Sequence, residues 1–319
     1  MNRMDAPPLG EEMACLFADR ERYCSALLAP NTYKSYADSW QRFCEWCKAA
    51  HRGALPASPE TVALWATSML RAGRRVTSVE ARISGVAYYH KKAGHPSPNG
   101  PEVRSVLVGA RRMRHETFNQ KRPLTVSQLW RISRVIDTAS SMGLRDRAIV
   151  VLGFAGAFRR SELAALDVSD ITFVPKGLLV HLRSSKTDQE GRGRDVGVFR
   201  GDNADTCPVR TLKAWMERRG NQPGPLFLTI RRRKDIITER RMTPLAVVDA
   251  IKRAVARIGL DAHVYAGHSL RAGYCTAAAE NGASEMAIMQ RTGHKSVQMV
   301  HRYVRPVSAF ALNPLARLL

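Results

Sequence analysis

GHKSVQMVHRYVR, residues 293–305, gathers two histidines, one tyrosine and three lysines or arginines into thirteen positions. Val297, Val300 and Val304 recur at spacings of three and four. The stretch therefore predicts a helix beginning near Ser296 with one apolar face. On that helix Tyr303 lies about two turns in, roughly 10 Å along the axis. His294 stands just before it, after Gly293. Taken alone, the pattern also describes a core tyrosine beside a solvated basic face, and the rest of the chain has to decide between the two.

The chain has 319 residues, which suggests about two domains. Its 50 Lys and Arg against 28 Asp and Glu leave a formal net charge of +22. That excess points to a polyanionic partner, nucleic acid first and anionic membrane second. The membrane alternative is weak. MNRMDAPPLGEEMACLF at the N-terminus has no apolar signal-peptide core. The most apolar run, AIVVLGFAGAF (148–158), is too short to span a bilayer and predicts a buried helix. The six cysteines are scattered, which fits a reducing cytosol and a cytoplasmic, DNA-associated protein. Cys44 and Cys47 form a C-x-x-C with His51 downstream, but no second ligand pair accompanies them. They fall on the helical stripe Tyr33, Tyr36, Trp40, Phe43 and Cys47, so core packing is the expected role.

Hydrophobic periodicity and cap residues predict a mainly α chain with a small antiparallel β-sheet. Residues 1–29 show no sustained period and are expected to be a loose arm. Asn31 is the expected cap of a Tyr33–Cys47 helix, and Ser58 with Pro59 opens a second. TSVEARISGVAYYHKKAG and GPEVRSVLVGARRMRHE predict a third and fourth, the last with Arg104, Arg111, Arg112 and Arg114 on its polar side. A helical N-terminal domain over 30–114 follows, then a linker over 115–125. From 126 to 319 the pattern predicts an α+β domain with a C-terminal tail. In it, helices precede three strands (ITFV, GLLVHLRSS and RDVGVF), and helices return from about residue 208. RRRK (231–234) reads as a solvated basic loop or a contact for an anion.

Four further pieces offer company for Tyr303. AFRRSELAAL (157–166) sets Arg159 and Arg160 at the end of an apolar region, with Glu162 as the nearest counter-charge. RSSKTDQEGR places Lys186 by a hairpin turn. GHSLRAGYC puts His268 and Arg271 on one helix face. The opening stretch adds His294. In this order the set resembles the catalytic residues of the tyrosine recombinase (phage integrase) family. That family pairs an R-x-S-E-L-type segment and a hairpin lysine with H-x-x-R, then G-H and a tyrosine nine residues later. The resemblance assigns Arg159, Glu162, Lys186, His268, Arg271, His294 and Tyr303 to the active site. A shift of one residue would promote Arg160, and Arg183 competes with Lys186. It further implies a helical core-binding domain, a catalytic domain of the DNA breaking-rejoining type, double-stranded DNA as partner, a homotetramer on that DNA, and room for accessory proteins.

The residue types suit the implied chemistry. Planar, always-charged guanidiniums match the non-bridging oxygens of a phosphodiester. Neighbouring cations favour the phenolate of a tyrosine whose ordinary pKa is about 10. His268 is placed to assist as base, Lys186 to protonate the leaving 5′-oxygen, and His294 to hydrogen-bond a phosphate oxygen. A 3′-phosphotyrosine keeps the bond energy, so no cofactor or metal is expected for religation. The expected activity is site-specific recombination, exchanging strands between two duplexes in integration, excision or resolution. The alternatives are a type IB-like topoisomerase, a non-catalytic helical DNA-binding regulator, and a metal-dependent phosphoesterase built on His268, His294 and His301.

Overall fold

The computed structural model describes residues 9–116, 121–183, 193–294, 296–301 and 303. The chain divides into two compact units, Met1–Phe118 and Asn119–Leu319.

The described part of the first unit is helical: α1 (Leu9–Ala26), α2 (Pro30–Ala49), α3 (Pro59–Arg71), α4 (Val76–Lys92) and α5 (Pro101–Arg114). Helix α2 packs on α4, and α3 on α5, around Phe43, Cys47, Val62, Trp65, Val79, Ile83, Val103 and Leu107. Cys47 is thus a core residue, as its place on the stripe predicts. Ser58 accepts a hydrogen bond from the Thr61 N–H and caps α3 with Pro59 in its first turn. Two expectations fail here. Asn31 is not the cap of α2, which starts at Pro30 after Ala29 without a side-chain cap bond. The expected loose arm is helical from Leu9. The side chains of residues 12–23 are all exposed; Leu9, Met13, Leu16 and Phe17 recur at helical spacing, but the stripe is short and stops at Arg20.

The second unit begins with α6 (Val126–Val135), whose capping box pairs Thr125 with Gln128. Helix α7 (Ser141–Ala155) is the expected buried helix, with Ile149, Val150, Val151 and Leu152 fully buried. It turns through residues 156–159 into the short α8 (Arg160–Ala165). Strands β1 (Ile171–Val174), β2 (Gly177–Leu182) and β3 (Arg194–Phe199) form an antiparallel sheet in that order. Leu178, Val180 and Leu182 alternate inward with Val196 and Val198, the period-2 pattern that makes the strands legible. Helix α9 (Pro208–Arg219) follows, and then a second hairpin, β4 (Leu228–Arg231) and β5 (Ile236–Arg241), where only helices were expected. Three arginines within its two strands mask the alternation, and RRRK spans its turn. Helices α10 (Pro244–Ala256), α11 (Gly267–Glu280) and α12 (Glu285–Thr292) complete the unit. Residues 297–301 and 303 are helical.

Helix α11 is the strut that positions the site. Its start is tied to the incoming chain by the Leu124 N–H donating to the Ser269 carbonyl at 3.0 Å. The approach is close: a Cβ on Gly273 would lie 2.0 Å from the Leu124 carbonyl oxygen. Gly273→Ala should therefore destabilise the second unit by about 1–3 kcal/mol through overpacking. Gly109→Ala, where α5 has open space, should be neutral or stabilising by up to ~1 kcal/mol. Urea titrations of the two variants check the contrast; equal stabilities would contradict it.

Candidate active site

At the α7–α8 corner the backbone of Ala157 takes a left-handed φ of 51°, and Arg159 leads into α8 in extended geometry. Glu162 is buried, with one oxygen accepting the Arg159 backbone N–H at 2.8 Å and the other accepting Arg159 Nη1 at 2.6 Å. The carboxylate thus caps α8 and orients the guanidinium in one arrangement, and removing it would strand a cation in a part-buried site. Arg160 is exposed. Its side chain lies over Gly267, where a Cβ would come within 2.8 Å of the Arg160 Cβ.

His268 and Arg271 sit in the first two turns of α11. Arg271 is only 1% exposed. It donates from Nη1 to the Ala157 carbonyl at 2.9 Å and from Nη2 to the Thr292 carbonyl. Burial first, and Arg159 next, pull its pKa down to about 10, so it stays a cation at neutral pH. His268 Nε2 is hydrogen-bonded to Tyr303 Oη, with the two rings 5.5 Å apart at 49°.

Helix α12 ends at Gly293, whose left-handed φ of 65° is a conformation glycine adopts without penalty. The turn returns the chain so that His294 is 7% exposed. Its Nδ1 lies 2.8 Å from Thr292 Oγ1, and its ring stacks on Tyr303 at 5.9 Å and 23°. Burial, then Arg271, Arg159 and His268, push the His294 pKa down to about 4. Desolvation among its neighbours, then Arg271 and Arg159, also lowers that of His268, although part of the residue remains solvent-exposed. Both imidazoles are therefore neutral at physiological pH.

The structure thus gathers Arg159, Glu162, His268, Arg271, His294 and Tyr303 in one cluster. Lys186 lies outside the described residues. Arg183 is engaged elsewhere, bridging Asp167 and Asp170 at 2.8 Å each. Of the predicted valine face, Val300 is buried against Cys275 and Ile288, Val297 is exposed, and Val304 lies outside the described residues. His301 pairs with Glu285 at 2.7 Å. Among the described residues no three His, Cys, Asp or Glu side chains group as a metal site requires.

Three residues of the cluster's frame escaped the sequence reading. Arg194 donates from Nη1 to the Arg291 carbonyl at 2.9 Å and lies beside Gly293; its Nε and Nη2 are buried without a hydrogen-bond partner. Arg291 donates to the Gly197 and Ala155 carbonyls, clipping α12 to β3 and to the end of α7. Thr292 supports both Arg271 and His294. Arg194 had a signal: it shares the inward parity of Val196 and Val198, where an arginine needs a reason to be.

The neutral, buried His294 makes stability pH-dependent. Its folded pKa of about 4 lies below the unfolded value of about 6.5. Between those values the unfolded chain binds a proton that the folded chain refuses. The contribution is therefore intact above pH ~6.5 and is lost as pH falls toward 4, by up to roughly 3 kcal/mol. His294→Gln should flatten this slope in denaturant titrations run from pH 7 to pH 4. An unchanged slope would show that other groups carry it.

A profile of the phage integrase family matches residues 122–309, more than half of the chain. An integrase/recombinase xerD homolog of Selenomonas ruminantium is 35% identical over 294 residues, covering 91% of this chain and 86% of the relative. The recombinase Cre of Escherichia phage P1 is 22% identical over 310 residues, covering 91% and 87%. Among solved structures, the Tn1549 transposon integrase in complex with transposon right-end DNA aligns with a TM-score of 0.65 at 17% identity. That match covers 93% of this chain and 98% of that one, a likeness of fold. With no helix among the described residues long and apolar enough to cross a membrane, and with the tyrosine, arginines and histidines assembled as above, the chain belongs to the phage integrase family of tyrosine recombinases, DNA strand transferases.

Proposed function

We propose that this chain is a site-specific DNA recombinase that breaks and rejoins double-stranded DNA through a 3′-phosphotyrosine on Tyr303. The observation that carries the reading is the hydrogen bond between Tyr303 Oη and His268 Nε2 beside Arg159 and Arg271. A neutral His268 accepts the phenolic proton as the Tyr303 oxygen attacks phosphorus. The new bond is Tyr303 O–P; the bond that breaks is P–O5′, and the departing oxygen takes a proton to become a 5′-hydroxyl. Arg159 and Arg271 hold the non-bridging oxygens as charge builds on them, and Glu162 fixes Arg159. His294 donates to a phosphate oxygen. Attack by the 5′-hydroxyl of a second duplex reverses the steps and exchanges the strand.

Lys186 is the proposed general acid for O5′, since Arg183 is held by two aspartates. The helical domain at 30–114 is the proposed core-binding domain, 115–125 the linker, and 126–319 the catalytic domain. Four protomers on two duplexes are the proposed working assembly, in the cytoplasm on DNA and open to accessory proteins.

Incubation with radiolabelled duplex in EDTA, followed by SDS, tests the reading. Wild type should leave a covalent adduct, and Tyr303→Phe should bind DNA normally yet leave none; an adduct on the Phe variant would refute the assignment. Arg159→Ala should abolish the adduct, whereas Arg160→Ala should retain it. Joining of two duplexes separates recombination from relaxation by a topoisomerase.

Lys186→Ala should slow cleavage by about 10²–10⁴-fold. It should recover most of that loss when the bridging 5′-oxygen is replaced by sulfur, because a thiolate leaves without a proton. Equal slowness on both substrates would move the acid elsewhere. Binding should weaken steeply with salt, as a net charge of +22 implies release of many counterions; a flat salt titration would argue against DNA as partner.

A further inference from the structure

Thr292 closes the last turn of α12 with its side chain fully buried. Its hydroxyl meets two groups. The Ile288 carbonyl lies 2.6 Å from Oγ1, and His294 Nδ1 lies 2.8 Å from it. A carbonyl oxygen only accepts, so the contact at 2.6 Å commits the hydroxyl proton to Ile288. Oγ1 then offers only a lone pair to His294. Two lone pairs facing each other at 2.8 Å in a buried site would repel, so the ring nitrogen must supply the proton.

We propose that Thr292 is a positioning residue that holds His294 as the Nδ1–H tautomer, leaving Nε2, across the ring, as the unprotonated nitrogen. This rests on the recombinase reading for its consequence, though not for its geometry. The surroundings agree. The groups facing His294 are Arg271, Arg159, His268 and Tyr303, and the Arg194 guanidinium lies beside Gly293. That company disfavours an imidazolium, so the neutral ring has to choose a tautomer, and Thr292 makes the choice.

His268 Nε2 is hydrogen-bonded to the Tyr303 hydroxyl. The recombinase reading, in which that hydroxyl gives its proton to Nε2, requires the His268 proton on Nδ1. Under the two assignments each imidazole carries a bare Nε2. His294 becomes a donor to a phosphate oxygen only after taking up one proton from solvent, which a phosphodiester anion among the arginines makes favourable. The backbone carbonyl of Thr292 meanwhile serves Arg271, so a change of side chain alters the hydroxyl and spares that acceptor.

Full-length protein labelled with ¹⁵N-histidine, free of DNA, gives the direct readout. Long-range proton–nitrogen correlation spectra identify which ring nitrogen carries the proton. Wild type and Thr292→Ser should show His294 as Nδ1–H, and Thr292→Val should move it toward Nε2–H. A wild-type spectrum of the Nε2–H form overturns the proposal, whatever the variants do. In single-turnover cleavage Thr292→Val should lose about tenfold, the rate equivalent of one neutral hydrogen bond. Thr292→Ser should lie within about twofold of wild type, and duplex binding should not change. A Val variant with wild-type rate and tautomer sinks the positioning role while the wild-type adduct still supports recombination. Absence of any wild-type adduct sinks the recombinase reading while the spectra still decide the tautomer. Should the Val variant fail to fold, the wild-type and Ser spectra carry the test alone.

Discussion

The site depends on one buried cation. Arg271 is almost wholly removed from water, and an unpaired guanidinium there would be prohibitively costly. The chain meets this with two backbone carbonyls from separate corners, Ala157 at the α7–α8 turn and Thr292 at the end of α12. Neither acceptor is a carboxylate, so the bonds fix the arginine in place without neutralising it. The left-handed backbone at Ala157 and the glycine turn at Gly293 follow from the same demand, since each comes where the chain must turn beside one of those carbonyls.

Around that anchor the charge balance is lopsided by construction. Arg159, Arg194 and Arg271 share the neighbourhood with one buried carboxylate, Glu162. Burial first, and the excess positive field next, keep His268 and His294 neutral. The field also favours the anionic form of any phenol brought close, and it matches the phosphodiester of the proposed reaction. Burial and field together thus leave two imidazoles that can accept protons beside a seat for an anion. A lysine or histidine in place of Arg159 or Arg271 would shed its proton more readily under these conditions, a physical reason for guanidinium at both positions.

The packing frame keeps the cluster together against its own repulsion. Arg291 clips α12 to β3 and α7, Arg194 takes the Arg291 carbonyl, and Glu162 ties Arg159 to the start of α8. Each is an arginine spent on a backbone oxygen or a single carboxylate rather than on a surface ion pair. The basic excess of the composition is therefore partly internal.

Much of this was legible in the linear chain. The helix start at Ser58, the burial of the apolar run that ends α7 and the alternating strands β2 and β3 follow from local rules of spacing and capping. The motif order from Arg159 to Tyr303 was enough to nominate the cluster. Helix α1 and the β4–β5 hairpin were not legible, because the apolar spacing of α1 is short and stops at Arg20, and arginine-rich strands hide their alternation. Arg194 and Thr292 escaped for a different reason: their roles consist of contacts with Gly293 and His294 that the turn at the end of α12 creates. The sequence by itself determined the residue types, their local backbone and the excess of positive charge. Only the tertiary structure decided which arginine faces inward, which imidazole nitrogen carries the proton and which carbonyls hold Arg271, because those depend on distances between segments far apart in the chain.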